Sequence, residues 1–381
     1  MSNIVKRPDG KWRARYRDVA GREHSQHFAR KVDAQTWLDD VTASVVTGQY
    51  VDPKAGKVTF RAYAEAWRSQ QVHRPTTQAH VETMLRRHAY PYIGERPLSS
   101  ILPSDIQAMT KALSTTLAPA TVQVVHGITS GIFKAAVADR KIASNPCEST
   151  RLPKRTPTRV EPLGVEIVQA LTEATPAFWR TAVVVAQATG MRQGEILGLD
   201  LDRVDFLRRL VRVDRQLVTV PGRPTFLGPP KTPASVRTIP LPQVAVDALA
   251  EHVAKFPPKS IELIWEREGK SETIRSALLF PTADGRPWGR SRFSAAWRQV
   301  TKAAGTQPVD FHELRHFYAS LLIRHGESVK VVQARLGHAS AAETLDTYSH
   351  LWPDNEDRTR AAIDSVLGIL ADYLRTNAKI I

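Results

Sequence analysis

Residues 188–199 read Ala-Thr-Gly-Met-Arg-Gln-Gly-Glu-Ile-Leu-Gly-Leu. In this stretch Arg192 follows a glycine turn and opens a helix with an apolar pattern. A guanidinium in that position points outward beside free backbone N–H groups, and the two together favour a bound phosphate. Glu195, three residues on, can brace Arg192. The stretch therefore predicts an anion site at a helix N-terminus.

Three further stretches carry residues that could do chemistry, and all follow the first. Lys231 stands among prolines in a region of strand-like runs, on what the sequence predicts to be a stiffened hairpin. Residues 312–316 read His-Glu-Leu-Arg-His. Residues 336–338 read Leu-Gly-His, and Tyr348 stands ten residues after that histidine.

One alternative for residues 312–316 is zinc, because they match the H-E-x-x-H pattern of metalloproteases. A catalytic zinc site also needs a third ligand, which the sequence does not nominate, and zinc would leave Arg192 and Lys231 unexplained. Packing within the helix is the favoured interpretation for His316. Walker A spacing, a G-x-G-x-x-G turn and a paired-carboxylate cluster are all missing, so the expected chemistry uses side chains alone and no cofactor.

The charge balance favours a polyanionic partner. The chain has 381 residues with 53 Lys and Arg against 38 Asp and Glu, a net charge of +15, and nucleic acid is the commonest polyanion that such proteins meet. A basic surface kept only for solubility is the alternative. Residues 1–31 contribute +6 and residues 61–155 contribute +7, whereas residues 156–381 contribute only +4. The excess is thus concentrated in front of a nearly balanced C-terminal part.

The remaining composition bounds the compartment. A single cysteine, Cys147, excludes an internal disulfide and suits a reducing environment. The N-terminus lacks the apolar run of a secretory signal, and no apolar stretch reaches the 18 residues of a membrane span. We therefore expect a cytoplasmic protein with no membrane partner, associated with the nucleoid when it is bound to DNA.

The sequence predicts a multidomain α+β protein with three domains, because the chain is too long for one core. Residues 1–50 form a strand pair and a helix, and strict alternation over 11–17 puts Lys11, Arg13, Arg15 and Arg17 on one face. Residues 57–150 are all-helical, after a Pro- and Gly-containing linker. Residues 160–381 are mostly helical with a small antiparallel sheet, and they end in a tail helix over 354–375.

Taken together, the four stretches resemble the tyrosine recombinases, the phage-integrase family, in order and spacing from Thr189 to Tyr348. The residues that the resemblance nominates as catalytic are Arg192, Lys231, His312, Arg315, His338 and Tyr348. The resemblance implies that Tyr348 attacks a DNA phosphodiester, giving a 3′-phosphotyrosyl link and a free 5′-hydroxyl. A partner 5′-hydroxyl then reverses the step, so neither ATP nor metal is consumed.

The resemblance also implies the supporting roles. Arg192 and Arg315 clamp the transition-state oxygens, and His338 donates a hydrogen bond to the phosphate. Lys231 is the general acid for the leaving oxygen, and His312 assists proton transfer near Tyr348. Glu195 orients Arg192.

The implied partners are double-stranded attachment sites of arm and core type. Candidates for arm contacts are Lys11, Arg13, Arg15 and Arg17, and Arg86 and Arg87 are candidates for core contacts. A homotetramer on synapsed DNA is expected, with the tail helix docked on a neighbour or packed at home. A DNA-bending or directionality protein is compatible with this assembly.

Residues 1–50 favour a mobile-element integrase, which would integrate or excise an element such as a prophage. They disfavour a chromosome-dimer resolvase, because resolvases of that kind lack this N-terminal domain. A type IB topoisomerase shares the chemistry but acts as a monomer. A non-catalytic DNA-binding regulator would explain the charge but not a tyrosine that accompanies two arginines.

Overall fold

The computed structural model of the chain describes residues 3–17, 21–46, 52, 55–155, 159–352, 360–361, 363–365 and 367. The chain divides into two compact units, Met1–Pro157 and Thr158–Ile381. Residues 354–359, 362, 366 and 368–375 of the tail helix lie outside the described residues, so that helix stays a prediction.

The first unit opens with a small antiparallel sheet and one helix. The strands are β1 (Asn3–Lys6), β2 (Trp12–Arg17) and β3 (Glu23–Phe28) in the order β1-β2-β3, followed by α1 (Lys31–Val46). Ala14 and Tyr16 are buried, because alternation along β2 turns them toward α1, where Tyr16 packs with Leu38. The sequence predicted two strands, and β1 adds a third. Residues 18–20 of the predicted turn lie outside the described residues.

The rest of the first unit is helical, as predicted for residues 59–147. Its helices are α2 (Phe60–Gln70), α3 (Pro75–Met84), α4 (Tyr90–Ile93), α5 (Pro103–Ser114) and α6 (Pro119–Ala138). A π-helical turn, Leu85–Ala89, joins α3 to α4, and short 3₁₀ turns lie at Ala55–Lys57 and Leu98–Ser100. Phe60, Ile106 and Phe133 are fully buried at the centre of this bundle.

The second unit interleaves helices with short strands. Its elements are α7 (Val165–Ala174), α8 (Ala177–Thr189), α9 (Gln193–Leu197), β4 (Val204–Asp205), β5 (Leu210–Val213), β6 (Gln216–Val218), β7 (Phe226–Gly228), β8 (Arg237–Pro240), α10 (Gln243–Lys255), β9 (Ile261–Arg267), β10 (Lys270–Ser276), α11 (Arg290–Ala303), α12 (Glu313–Arg324), α13 (Val329–Leu336) and α14 (Ala341–Tyr348).

These strands form two sheets where the sequence predicted one. One sheet has the order β10-β9-β7-β6 and contains a parallel pair, β7 with β9, and the other has the order β4-β5-β8. The predicted strands correspond to β5, β6 and β8. The longest strands, β9 and β10, were not predicted. β10 is mostly exposed and polar, and in β9 the apolar Ile264 interrupts the alternation of Ile261, Leu263 and Trp265 with polar residues. The predicted order of a small sheet with a helix, a helical segment and a mostly helical segment with strands is confirmed.

Two hydrophobic clusters hold the second unit and fix the position of the site. The larger one contains the aromatic side chains of Trp179, Phe280 and Phe293. The smaller one joins α12, α13 and α14 through Tyr318, Ala319, Ile323, Val332, Leu336 and Tyr348. The last three helices therefore form a packed group that carries two of the predicted motifs.

Candidate active site

Arg192 lies where the turn after α8 meets the N-terminus of α9. The turn is possible because Gly190 adopts a left-handed φ of +63°. The Arg192 backbone N–H donates to Glu195 Oε2 at 2.8 Å, and Arg192 Nη1 donates to Oε1 at 3.1 Å. The bracing contact predicted for Glu195 is thus present, and the half-buried guanidinium keeps an exposed side.

Glu195 has a second arginine partner that the sequence did not reveal. Arg237, at the start of β8, donates to both carboxylate oxygens, Nη2 to Oε2 at 2.9 Å and Nη1 to Oε1 at 3.2 Å. Burial alone would raise the pKa of Glu195, but Arg237 and Arg192 hold that pKa below its usual range. The carboxylate therefore stays ionised and fixes both guanidinium groups.

Arg315 lies within α12 and is almost fully buried. Its Nη1 donates to the Gly190 carbonyl at 2.7 Å, and its Nη2 donates to the Leu336 carbonyl at 2.6 Å. Burial, together with the charges of Arg192 and Arg237, lowers the pKa of Arg315 to about 9, which leaves it cationic at neutral pH. Arg315 thus ties the α8–α9 turn to the end of α13 and adds a second positive charge beside Arg192.

Tyr348 is the last residue of α14, and its side chain packs into the smaller cluster with only 1% exposed. Burial raises the pKa of Tyr348 to about 12, although Arg315 opposes the shift. The hydroxyl lies 2.7 Å from Nδ1 of His316. Burial, with His312 and Arg315 nearby, lowers the pKa of His316 to about 4, so its ring is neutral at physiological pH.

This contact differs from the expectation for the histidines of α12. His316 was expected only to pack, yet it contacts the Tyr348 hydroxyl. His312, expected near Tyr348, is exposed at the N-cap of α12, with its ring perpendicular to that of His316 at 5.0 Å between centroids. Helical spacing could have revealed His316, because residues i and i+4 share one face and His312 was already assigned to the site.

His338 follows the glycine that ends α13, where Gly337 has a φ of +66°. Its ring lies parallel to that of Tyr348, with 6.4 Å between the centroids. Its Nδ1 lies 2.8 Å from the hydroxyl oxygen of Thr344 on α14. Burial, with the charge of Arg315, lowers the pKa of His338 to about 4. The ring is therefore neutral and held against α14.

Lys231 lies on the connection between the two sheets, after β7 and before β8, rather than on a hairpin turn. Its side chain is exposed. The connection is anchored beside the site because the Thr232 and Ser235 hydroxyls are 2.9 Å apart and Arg192 Nη1 donates to Ser235 Oγ at 3.3 Å. The segment that follows Lys231 is therefore bonded to Arg192, but the Lys231 side chain itself is not held in the cluster.

The cations proposed from sequence for DNA contact lie on two surfaces. Arg13 and Arg15 of β2 project from the face opposite Ala14 and Tyr16, and Arg15 is paired with Glu23 at 3.5 Å. Lys11 and Arg17 are exposed at the two ends of the strand. Arg86 and Arg87 are exposed on the π-helical turn.

The described residues contain neither a metal-binding cluster nor a helix that could span a membrane. No group of three or more His, Cys, Asp or Glu side chains within them converges as it would around a metal ion. None of the helices in the described part of the chain is long and apolar enough to cross a membrane.

A tyrosine beside two arginines and two histidines, on helices at the C-terminal end of a mixed α and β unit, defines the class of tyrosine recombinases. The chain belongs to the phage integrase family: the phage integrase family model matches residues 164–354, the phage integrase central domain model matches residues 60–152, and the phage integrase N-terminal domain model matches residues 2–47.

Similar proteins carry integrase names. An integrase of prophage phiRv2 from Mycobacterium tuberculosis strain H37Rv is 28% identical over 370 residues, which cover 94% of this chain and 93% of that protein. The integrase of Mycobacterium phage D29 is 23% identical over 328 residues, 83% of each chain.

Two solved structures share the fold. The Tn1549 transposon integrase in complex with a circular intermediate DNA superposes with a TM-score of 0.67 at 20% identity, covering 81% of this chain and 99% of that chain. A lambda integrase tetramer bound to a Holliday junction superposes with a TM-score of 0.56 at 18% identity, covering 93% and 95%.

Proposed function

We propose that this chain is a site-specific DNA recombinase that integrates or excises a mobile element such as a prophage, using Tyr348 as the nucleophile. The observation that carries the proposal is the convergence on Tyr348 of groups suited to a phosphodiester. The charges of Arg315 and Arg192 both act on Tyr348 to lower its pKa, and the His338 ring is parallel to the Tyr348 ring. Glu195 holds Arg192 in place. The integrase names of the relatives support a mobile-element role.

A tyrosine nucleophile suits strand exchange because the bond that it forms keeps the energy of the bond that it breaks. The Tyr348 oxygen attacks phosphorus, and the 5′-oxygen leaves, giving a 3′-phosphotyrosyl enzyme. A 5′-hydroxyl from a partner strand then attacks the same phosphorus and releases the tyrosine. The cycle needs no ATP, and the residues proposed for it include no metal ligand.

Charge develops on the two non-bridging oxygens as phosphorus becomes five-coordinate, and cations placed there in advance lower the barrier. In the proposed mechanism Arg192 and Arg315 supply that charge, because planar guanidinium groups can bind both oxygens of a phosphate. Glu195 holds Arg192 in position, and neutral His338 donates a further hydrogen bond.

Two proton transfers accompany the attack. The departing 5′-oxygen needs a proton, which the exposed Lys231 can deliver as the general acid. The Tyr348 hydroxyl must lose its proton, and His312 assists that transfer from the start of α12.

We divide the protein into an arm-binding domain at residues 1–50, a core-binding domain at 57–150 and a catalytic domain at 160–381. The ranges of the three family models support this division. Arm sites would contact Lys11, Arg13, Arg15 and Arg17, and core sites would contact Arg86 and Arg87. Phosphate contacts of this kind add affinity that falls with salt.

The working form would be a homotetramer on two synapsed DNA sites in the cytoplasm. The lambda integrase tetramer on a Holliday junction supports this assembly, since it has the same fold. The match of residues 2–47 to the integrase N-terminal domain model favours an integrase over a chromosome-dimer resolvase.

The decisive experiment traps the covalent intermediate on a nicked half-site taken from the DNA that flanks the gene. In EDTA, the wild type should form an adduct that survives SDS, and Tyr348→Phe should bind the same DNA without forming it. If the wild type binds a verified site and no adduct forms, the chain acts as a DNA-binding regulator instead.

A further inference from the structure

His316 makes a direct contact with the proposed nucleophile, although it is not among the six residues nominated from the sequence. It follows Arg315 on α12, and its Nδ1 lies 2.7 Å from the Tyr348 hydroxyl oxygen. Within the described residues this ring is the hydrogen-bond partner of that hydroxyl. The tyrosine is 1% exposed, so bulk water does not compete for its proton.

The direction of this hydrogen bond depends on which nitrogen of the neutral ring carries hydrogen. The raised pKa of Tyr348 keeps its hydroxyl protonated, and the lowered pKa of His316 keeps its ring neutral. A neutral imidazole has one nitrogen with a lone pair and one that carries hydrogen. In the tautomer that carries its hydrogen on Nε2, the ring accepts the Tyr348 O–H at Nδ1, and transfer of the tyrosine proton requires this tautomer.

We propose that His316 is the general base that takes the proton of Tyr348 during DNA cleavage. The inference rests on the proposed recombinase function. In the step, the bond from the tyrosine oxygen to phosphorus forms, the bond from phosphorus to the 5′-oxygen breaks, and the phenolic proton moves to Nδ1 of His316. A proton from Lys231 moves to the 5′-oxygen.

Rejoining reverses each transfer. The partner 5′-hydroxyl attacks phosphorus and gives its proton to Lys231, the bond from phosphorus to the tyrosine oxygen breaks, and His316 returns its proton to Tyr348. The step is balanced without any further reactant.

Geometry separates His316 from His312. A general base must lie about 2.6–3.2 Å from the group that it deprotonates, or act through one water, and His316 meets that distance. His312 is exposed one helical turn earlier, and no hydrogen bond joins it to Tyr348 within the described chain. A bound phosphate would also offset the positive charge of Arg315 and so raise the proton affinity of His316 in the complex.

The test measures single-turnover cleavage of the nicked half-site by wild type, His316→Gln and His316→Phe. Glutamine can still accept the tyrosine hydrogen bond but cannot take up a proton, and phenylalanine fills similar space without an acceptor. A general base contributes about 100-fold or more. We expect both variants to lose at least about 100-fold in rate while they bind the half-site as the wild type does.

A second substrate locates the loss on the nucleophile side of the reaction. When sulfur replaces the bridging 5′-oxygen, the leaving thiolate needs no proton. That substrate should restore cleavage by Lys231→Ala, which lacks the proposed acid. It should not restore cleavage by His316→Gln, because the tyrosine must still lose its proton.

Other outcomes overturn the inference. If His316→Gln cleaved the half-site at the wild-type rate, the ring would only position Tyr348. If either variant cleaved faster than the wild type, the contact would restrain the tyrosine. Loss of cleavage in His312→Gln but not in His316→Gln would assign the base to His312. Failure of the wild type on a verified site would instead overturn the recombinase function, and the two failures are therefore distinct.

Discussion

At the scale of single residues, the Thr344 hydroxyl determines which nitrogen of His338 carries a hydrogen. Thr344 is fully buried, and its oxygen lies 2.8 Å from His338 Nδ1. Thr347, on the same helix, donates to the carbonyl of Glu343, but no such backbone bond is made by Thr344 within the described residues. The Thr344 proton is therefore available to Nδ1, which leaves Nε2–H free to donate to a phosphate oxygen.

We predict that Thr344→Val slows adduct formation on the half-site by about 10- to 100-fold, because the tautomer of His338 is no longer fixed. The effect should be smaller than the loss of about 100- to 1,000-fold that follows complete removal of an oxyanion donor. Valine keeps the shape of threonine, so DNA affinity should not change. Thr344→Ser, which keeps the hydroxyl, and Thr347→Val are the controls. Equal rates for Thr344→Ser and Thr344→Val would show that the hydroxyl has no such role.

The buried Arg237 is expected to contribute to stability rather than to chemistry. Removing one partner from a buried ion pair costs about 3–5 kcal/mol, so Arg237→Ala should lower the free energy of unfolding by about that amount. Arg212→Ala on the adjacent strand β5 is the control. Arg212 is itself exposed, so its pair with Asp214 should contribute at most about 1 kcal/mol. Urea unfolding at pH 7 measures both changes.

The pH dependence of that difference follows from Glu195. Its depressed pKa in the folded wild type means that its contribution is present above the pKa of the unfolded chain and is lost as pH falls through the folded pKa. In Arg237→Ala the carboxylate keeps only Arg192 as a partner within the described residues, so its pKa should be higher than in the wild type and it should be protonated more easily. The gap between wild type and variant should therefore narrow as pH falls below the ordinary range of glutamate. A gap that is constant with pH would contradict the ion-pair explanation.

The sequence predicts contacts within the site where the two residues are close together along the chain. Arg192 and Glu195 form a local pair that is predictable because the two residues are three positions apart. Arg237 is 42 residues from Glu195, and its burial depends on how β8 meets α9. Spacing places His316 on the same face of α12 as His312, but its contact with Tyr348 also depends on how α14 packs, which spacing does not show.

At the scale of elements, the turn between α8 and α9 is expected to tolerate only glycine at position 190. A Cβ there would lie 2.4 Å from Tyr318 Cδ1, and the backbone is left-handed. The Gly190 carbonyl also accepts a hydrogen bond from Arg315. We predict that Gly190→Ala destabilises the protein by more than the roughly 1–2 kcal/mol cost of the left-handed conformation and lowers adduct formation because Arg315 shifts.

Gly305→Ala is the matched control. Gly305 also has a left-handed φ, +68°, but no atom lies within 4 Å of the position that its Cβ would take. It should show the conformational cost alone, with normal cleavage. Thermal unfolding and the half-site assay compare the two variants, and equal effects on both would mean that the contact with Tyr318 is unimportant.

Helices and strands were predictable from the sequence where burial of one face gives the apolar residues a regular spacing. Helix α6 lies in the segment that the sequence predicts to be all-helical, and β5 lies in the segment with a predicted small sheet; each buries one face. In β10 most side chains are exposed and polar, so no alternation appears, whereas β9 carries apolar residues on both faces, which obscures its period. Their pairing depends on the neighbouring strand β7 rather than on their own sequence.

At the scale of the whole molecule, the positive charge is unevenly placed. Residues 1–31 and 61–155 hold most of the net charge of +15, whereas residues 156–381 hold only +4. The proposed catalytic unit therefore has little excess charge with which to bind DNA, and the preceding segments should supply most of the affinity. Since phosphate contacts release counterions, that affinity should fall steeply with salt.

We predict that charge reversal separates the two kinds of DNA site. Arg15→Glu, on the exposed face of β2, should weaken binding to arm-type DNA and leave half-site cleavage intact, whereas Arg86→Glu, on the π-helical turn, should weaken binding to core DNA. Each lost phosphate contact should reduce the slope of log affinity against log salt by about 1. Titrations at several salt concentrations, with both variants on both DNAs, measure this. If each variant weakened both sites equally, the charge would act as a general field, and the assignment of separate arm and core surfaces would be wrong.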